Sequence, residues 1–118
     1  MIAIRTQDKK ELLQFDENKI NVRVREGHFV QHNKENTECY NYLLEAGDCI
    51  ENEMIVLWKT LAYYDTLDKA ISMIDKIQWF ISELRLINAC CKLNMVLEER
   101  TANFDRLAKA VYEVCEIE

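Results

Sequence analysis

His28 and His32 stand four residues apart, the spacing that sets two imidazoles on one face of a helix within reach of a shared metal ion. Gly27 and the β-branched and aromatic residues around them argue for an extended chain instead. There, residues four apart point the same way but lie roughly 13 Å apart, too far to share one ion. No metal site is expected. Cys39 follows His32 closely enough to suggest a thiol–imidazole pair, but spacing identifies neither a third orienting group nor a loop that would stabilise an oxyanion. Asp65 and Asp68 fall at a helix start, where negative charge is favoured whatever the function. Glu98–Glu99 reads as an exposed doublet. No catalytic residue and no cofactor are implied, and a non-enzymatic protein is expected.

The small residues exclude further classes. With no proline, and Gly27 and Gly47 the only glycines, neither a P-loop nor a dinucleotide fingerprint can be assembled. The five cysteines, Cys39, Cys49, Cys90, Cys91 and Cys115, are odd in number, include an adjacent pair and contain no C-x-x-C spacing. They match neither a secreted disulfide framework nor a zinc knuckle, and read as small buried hydrophobes.

Charge is placed unevenly. Six acids, Glu35, Glu38, Glu45, Asp48, Glu51 and Glu53, fall in one stretch that has no Lys or Arg. The net charge of the chain is −6, and elsewhere fifteen acids face fifteen bases, so this stretch holds the whole excess. Tyr40, Tyr42, Leu44 and Ile50 mix aromatic and apolar groups into it. One reading is a solvated surface helix with loops, capped by Asn36 or Thr37, running through Tyr42 and Leu43 and ended by Gly47. The other is a patch that docks on the basic surface of a protein partner, such as a nuclease groove that normally holds nucleic acid, with Tyr40 and Tyr42 as anchors. Direct nucleic-acid binding would fall to Arg5, Lys9, Lys10, Arg23 and Arg25. Asp8, Glu11 and Glu26 are interleaved with them and the chain is acidic overall, so it is not expected.

A chain of 118 residues makes one domain. Residues 1–31 read as a β-meander with strands at Ile2–Arg5, Glu11–Phe15 and Ile20–Arg25, then a turn at Glu26–Gly27 and a short return strand at His28–Gln31. Residues 32–53 form the acidic insertion. Residues 54–91 hold a strand from Met54 through Tyr64, capped by Asp65–Thr66 into a long helix. Its dry face carries Ala70, Ile71, Ile74, Ile77, Ile81 and Leu84. Trp79, Leu86 and Cys90, with Phe80, Ile87 and Cys91 alongside, make a second apolar face. Leaving that face wet would forfeit ~1.5–3 kcal/mol per large side chain, so either the C-terminal segment or a second copy of the chain must cover it. Trp79, Leu86 and Cys90 are therefore the candidate homodimer interface. Leu93, Met95, Val96 and Leu97 fit either an extension of the helix or a packed connection. From Thr101 a second helix is expected, with Phe104, Leu107, Ala108, Val111, Val114 and Cys115 dry, and Glu113 and Glu116 wet. The expected fold is α+β: a small antiparallel sheet packed against one long helix, with a C-terminal helix outside. No run of 18 apolar residues marks a transmembrane helix, and the N-terminus lacks the pattern of a signal peptide, so a cytosolic protein is expected.

Ile4-Arg5-Thr6-Gln7-Asp8-Lys9, followed by Leu12, resembles the opening of short uncharacterised proteins carried by phages and prophages of Gram-positive bacteria. In those, an I-R-[ST]-Q-D-K start leads through a small sheet to a strand and a helix. The helix start Thr66–Ile77, TLDKAISMIDKI, is similar to their second shared segment. The chain departs from them in the insertion between His32 and Glu53 and in a long C-terminal extension. The resemblance implies a mobile-element origin and carries over no catalytic residue. Joined to the charge placement, it points to a phage-type protein that acts by binding another protein in a bacterial host. The sharpest form is an anti-CRISPR-like inhibitor of a defence nuclease. The alternative is a homo-oligomeric structural or accessory phage protein.

Overall fold

The computed structural model describes residues 1–32, 37–50, 55–92 and 114–118. Two small sheets pack on one long helix. In the first, β1 (Ile2–Arg5) is central, with β2 (Leu12–Phe15) antiparallel on one side and β7 (Cys115–Glu116) parallel on the other. Alternation along these strands turns Ile2, Ile4, Phe15 and Cys115 into the core. The polar turn between β1 and β2 closes as its composition demands. The Asp8 carboxylate accepts the Thr6 hydroxyl at 2.6 Å and the Lys10 N–H at 3.0 Å, and Lys9 takes a positive φ of 62°.

The second sheet is built on β4 (Thr37–Ile50), which pairs with β3 (Ile20–His32) on one edge and with β5 (Ile55–Val56) and β6 (Lys59–Tyr64) on the other. Three expectations are corrected here. The turn and return strand at Glu26–Gln31 are instead one continuous strand: Gly27 and His28 bulge out opposite Asn41, and the ladder resumes at Phe29↔Tyr40. The expected helix through Tyr42 and Leu43 is strand β4, because a β3 partner of matching length pairs with its backbone over nearly its whole run. The strand expected from Met54 to Tyr64 breaks at Leu57–Trp58 into β5 and β6. The break lies over Gly47, where a Cβ would stand 2.3 Å from the Leu57 carbonyl oxygen. Gly47 is thus a point of close backbone approach, not a helix stop.

The helix α1 spans Leu67–Lys92, and its Lys69 N–H donates to the Thr66 hydroxyl at 3.4 Å as an N-cap requires. Ala70, Met73, Ile77, Phe80, Ile81 and Leu84 are buried against the sheets, with Ile74 and Ile87 at the margin. The dry face is rotated from the expected one: Ile71 is 45 % exposed, while Phe80 enters the core. Burying Met73 and Phe80 removes more apolar surface from water than burying Ile71 would.

The expected C-terminal helix at Thr101–Glu113 lies outside the described residues, as does the Leu93–Leu97 stretch. Its expected end is corrected. Cys115–Glu116 is a strand whose period of two sends Cys115 and Ile117 inward and leaves Glu116 at the surface, 3.3 Å from Arg5. Among the described residues no helix is long and apolar enough to cross a membrane.

Candidate functional site

The β3–β4 register decides what becomes of the acidic stretch. Glu45 stands opposite Arg23, whose Nε reaches its carboxylate at 3.1 Å, and Arg25 reaches the same oxygen at 2.7 Å. Glu45 is buried, so the expectation of six uncompensated acids is corrected at this position. The Arg23 guanidinium also lies 3.9 Å from the centre of the Trp58 ring. Asp48 holds the turn after β2, accepting the Asp16 N–H at 3.2 Å on both carboxylate oxygens. Tyr42 is half-buried against the core. Glu35, Glu51 and Glu53 lie outside the described residues. Glu38 and Tyr40 remain at the surface as a pair, the tyrosine hydroxyl donating to the carboxylate. That bond, with the negative charge of Glu38 and Asp65 nearby, pushes the Tyr40 hydroxyl above its ordinary range.

Tyr40 reaches across to Tyr63 on β6, with ring centres 5.7 Å apart. Tyr63 is fixed by Gln7, which joins the two sheets. The Gln7 N–H donates to the Leu61 carbonyl at 3.0 Å. Its side-chain amide accepts the Tyr63 N–H at 3.0 Å and donates to the Tyr63 carbonyl at 3.2 Å. The side chain of Gln7 thus pairs with β6 as a backbone amide would. Gln7 and Tyr63 form a ridge with a groove on each side. One groove, of about 570 Å³, runs between the hairpin and the first turns of α1 and is lined by Tyr40, Tyr63, Tyr64, Asp65, Lys69 and Met73 among others. The second, of about 420 Å³, is polar and includes Thr6, Asp8, Glu11, Gln31 and Lys59.

In the first groove most of the polar groups are engaged within the chain. The Tyr64 hydroxyl donates to the Glu118 carbonyl at 2.5 Å, and burial pushes its pKa up to about 12. Lys69 lies 3.0 Å from Asp65, and this contact holds the Asp65 carboxyl below the usual range. Lys76 donates to the Glu116 carbonyl at 2.7 Å. Sequence reasoning missed Gln7, Tyr63 and Asp65 as neighbours. The signal present was Gln7 inside the I-R-T-Q-D-K motif and the Tyr63-Tyr64-Asp65 run at the strand-to-helix junction.

On the outer side of α1, Trp79 and Leu86 are both 47 % exposed, and Leu67 and Ile71 continue their stripe. The Trp79 ring meets Phe80 edge-on at 5.4 Å. The Cys90 side chain lies outside the described residues. The Cys91 side chain lies outside them too; of the remaining three thiols, Cys39 is exposed, against the expected burial, Cys49 half-buried and Cys115 buried, all free. Among the described residues no group of three or more His, Cys, Asp or Glu is placed to hold a metal ion. Compared with family models, with curated proteins and with solved structures, the chain matches none.

Proposed function

We propose that the protein acts by binding another protein, without turning over a substrate, and that it docks through the free end of the β3–β4 hairpin. The observation that carries this reading is that the hairpin outruns its cover. Among the described residues β6 pairs with β4 only over Tyr42–Ala46, so Phe29–His32 and Thr37–Tyr40 pair with each other and with no third described strand. Val30, Glu38 and Cys39 are exposed there. A two-stranded ribbon is marginal in water by itself, so its length adds surface rather than core.

The sharper form of the proposal is a phage-type inhibitor of a defence nuclease, of the anti-CRISPR kind, working in the cytoplasm of a bacterial host. The I-R-T-Q-D-K resemblance and the net charge of −6 support it, since an acidic chain is drawn to a surface built for nucleic acid. The test is target cleavage by candidate defence nucleases in the presence of wild-type protein or of the hairpin variant Val30→Asp/Glu38→Lys. Wild type should suppress cleavage by its partner, and the variant should bind at least about tenfold more weakly while melting nearly as wild type does. A variant that binds as well as wild type removes the hairpin as the docking element. A captured nuclease that cuts at its full rate removes the inhibitor form.

A second reading, a homo-oligomeric structural or accessory phage protein, is favoured by the exposed stripe of Leu67, Ile71, Trp79 and Leu86 on α1. It predicts a full-length dimer by sedimentation that Trp79→Glu converts to a folded monomer. A chain monomeric at every accessible concentration removes it.

A further inference from the structure

We infer that the groove between the hairpin and the start of α1 takes an arginine side chain of the protein partner, held on the Tyr40–Tyr63 aromatic surface and by the carboxylates of Glu38 and Asp65. This rests on the reading of the chain as a protein-binding module. The argument is one of donors and acceptors. The Tyr40 hydroxyl is given to Glu38, the Tyr64 hydroxyl to the Glu118 carbonyl, and the Gln7 amide to the Tyr63 and Glu118 carbonyls. Lys69 sits on Asp65, and Lys76 is drawn to the Glu116 carbonyl and lies 3.8 Å from the Glu118 carboxylate. An anion entering here would compete with the oxygens on which both ammonium groups already sit. A guanidinium displaces nothing: each carboxylate has roughly four lone-pair sites, and Glu38 and Asp65 retain open ones after these contacts. Asp65 is exposed and Glu38 lies at the surface beside the half-buried Tyr40, so both acids can reach an incoming group.

Arginine fits better than lysine because its planar fork stacks on an aromatic face and bonds carboxylate oxygens together. The chain already builds that arrangement for itself. Arg23 lies over the Trp58 ring while its Nε bonds Glu45. The groove beside Tyr40 and Tyr63 offers a tyrosine surface and the carboxylates of Asp65 and Glu118, with Glu38 bonded to Tyr40, and no arginine among its lining residues.

The experiment is a titration of the ¹⁵N-labelled full chain with an acetylated, amidated Gly-Arg-Gly-Gly-Arg-Gly peptide, followed by amide shifts. The same peptide with citrulline for arginine keeps the shape and removes the charge. Saturable shifts are expected at Tyr40, Tyr63, Asp65 and Lys69, and the citrulline peptide should lose them. Tyr40→Ala and Asp65→Asn should each weaken the arginine peptide by about two- to fivefold, with Asp75→Asn as an unaffected control. Shifts scattered over all surface acids, equal binding of the citrulline peptide, or full affinity in both groove variants overturn the inference. Val30 does not line the groove, so Val30→Asp separates the two claims. A partner lost with Val30→Asp but bound normally by Tyr40→Ala and Asp65→Asn overturns the groove and keeps the protein-binding reading. Groove shifts in a chain that binds none of the candidate partner proteins overturn that reading instead.

Discussion

Arg23 stands directly across the β3–β4 ladder from Glu45, and its Nε meets the carboxylate at 3.1 Å; Arg25, on the diagonal, meets the same oxygen at 2.7 Å. The carboxylate is buried while the arginine side chains remain 40 % and 49 % exposed, so solvent screens much of the attraction. Glu45→Ala should cost about 1–2 kcal/mol in urea unfolding, less than breaking a fully buried pair. Arg23→Ala should cost less than Glu45→Ala, because Arg25 still neutralises the buried acid. Equal losses from the two substitutions would show that Arg25 does not share the load.

Gly47→Ala places a methyl group 2.3 Å from the Leu57 carbonyl oxygen and 2.8 Å from its carbon, so backbone must move. A loss of about 1–3 kcal/mol is expected, with β5 released from β4 first. At Gly27 the nearest atom is the outer edge of the Phe29 ring, at 3.1 Å, which can swing aside. Gly27→Ala should stay within about 0.5 kcal/mol. Thermal melts of the two variants, compared with wild type, decide the point.

Ile77→Asp puts a charge into the fully buried face of α1 and should leave no cooperative unfolding transition. Ile71→Asp, six residues earlier on the wet side, should fold with a loss below about 1 kcal/mol. Similar circular-dichroism melts from both would refute the rotated face.

Alkaline pH should weaken the fold in two overlapping steps. Burial pushes the Cys115 thiol from 9.0 up to about 11 and the Tyr64 hydroxyl from 10.0 up to about 12. Above pH 9.0 the unfolded chain therefore releases its thiol proton while the folded chain keeps it, and stability falls as pH rises through that window. Tyr64 extends the decline from 10.0 towards 12 by the same logic. Cys115→Ala should remove the earlier part of the slope. An unchanged pH profile in that variant would show that the thiol does not titrate with unfolding.

The elements legible in the sequence are those written in local signals. The first two strands, the Asp8 turn, the Thr66 cap and the long helix follow from alternation, turn chemistry and a three-to-four spacing that need no distant partner. The stretch Thr37–Ile50 was not legible, because Tyr42, Leu43 and Leu44 suit a helix or a strand and the choice is made by β3, which lies earlier in the chain. Charge was misread for the same reason. Counting acids along 35–53 leaves Glu45 unpaired, whereas its partners sit twenty and more residues away, on the neighbouring strand. Glu38 and Tyr40 were identified as surface residues, but Tyr63 and Asp65 came beside them only through the packing of β6 on β4.

The parallel contact of β1 with β7 has a consequence for how the chain is made. Ile4 pairs with Cys115, and the Ile117 N–H donates to the Arg5 carbonyl, so this edge of β1 waits on a strand far along the chain. Until residues 115–117 have emerged, one edge of β1 is an open template for strand addition, beside the buried positions that Cys115 and Ile117 will fill. The hairpin and α1 draw on contacts already synthesised. Closure of the first sheet is thereby a late event, slow by its sequence separation and exposed to capture by chaperones until it is complete.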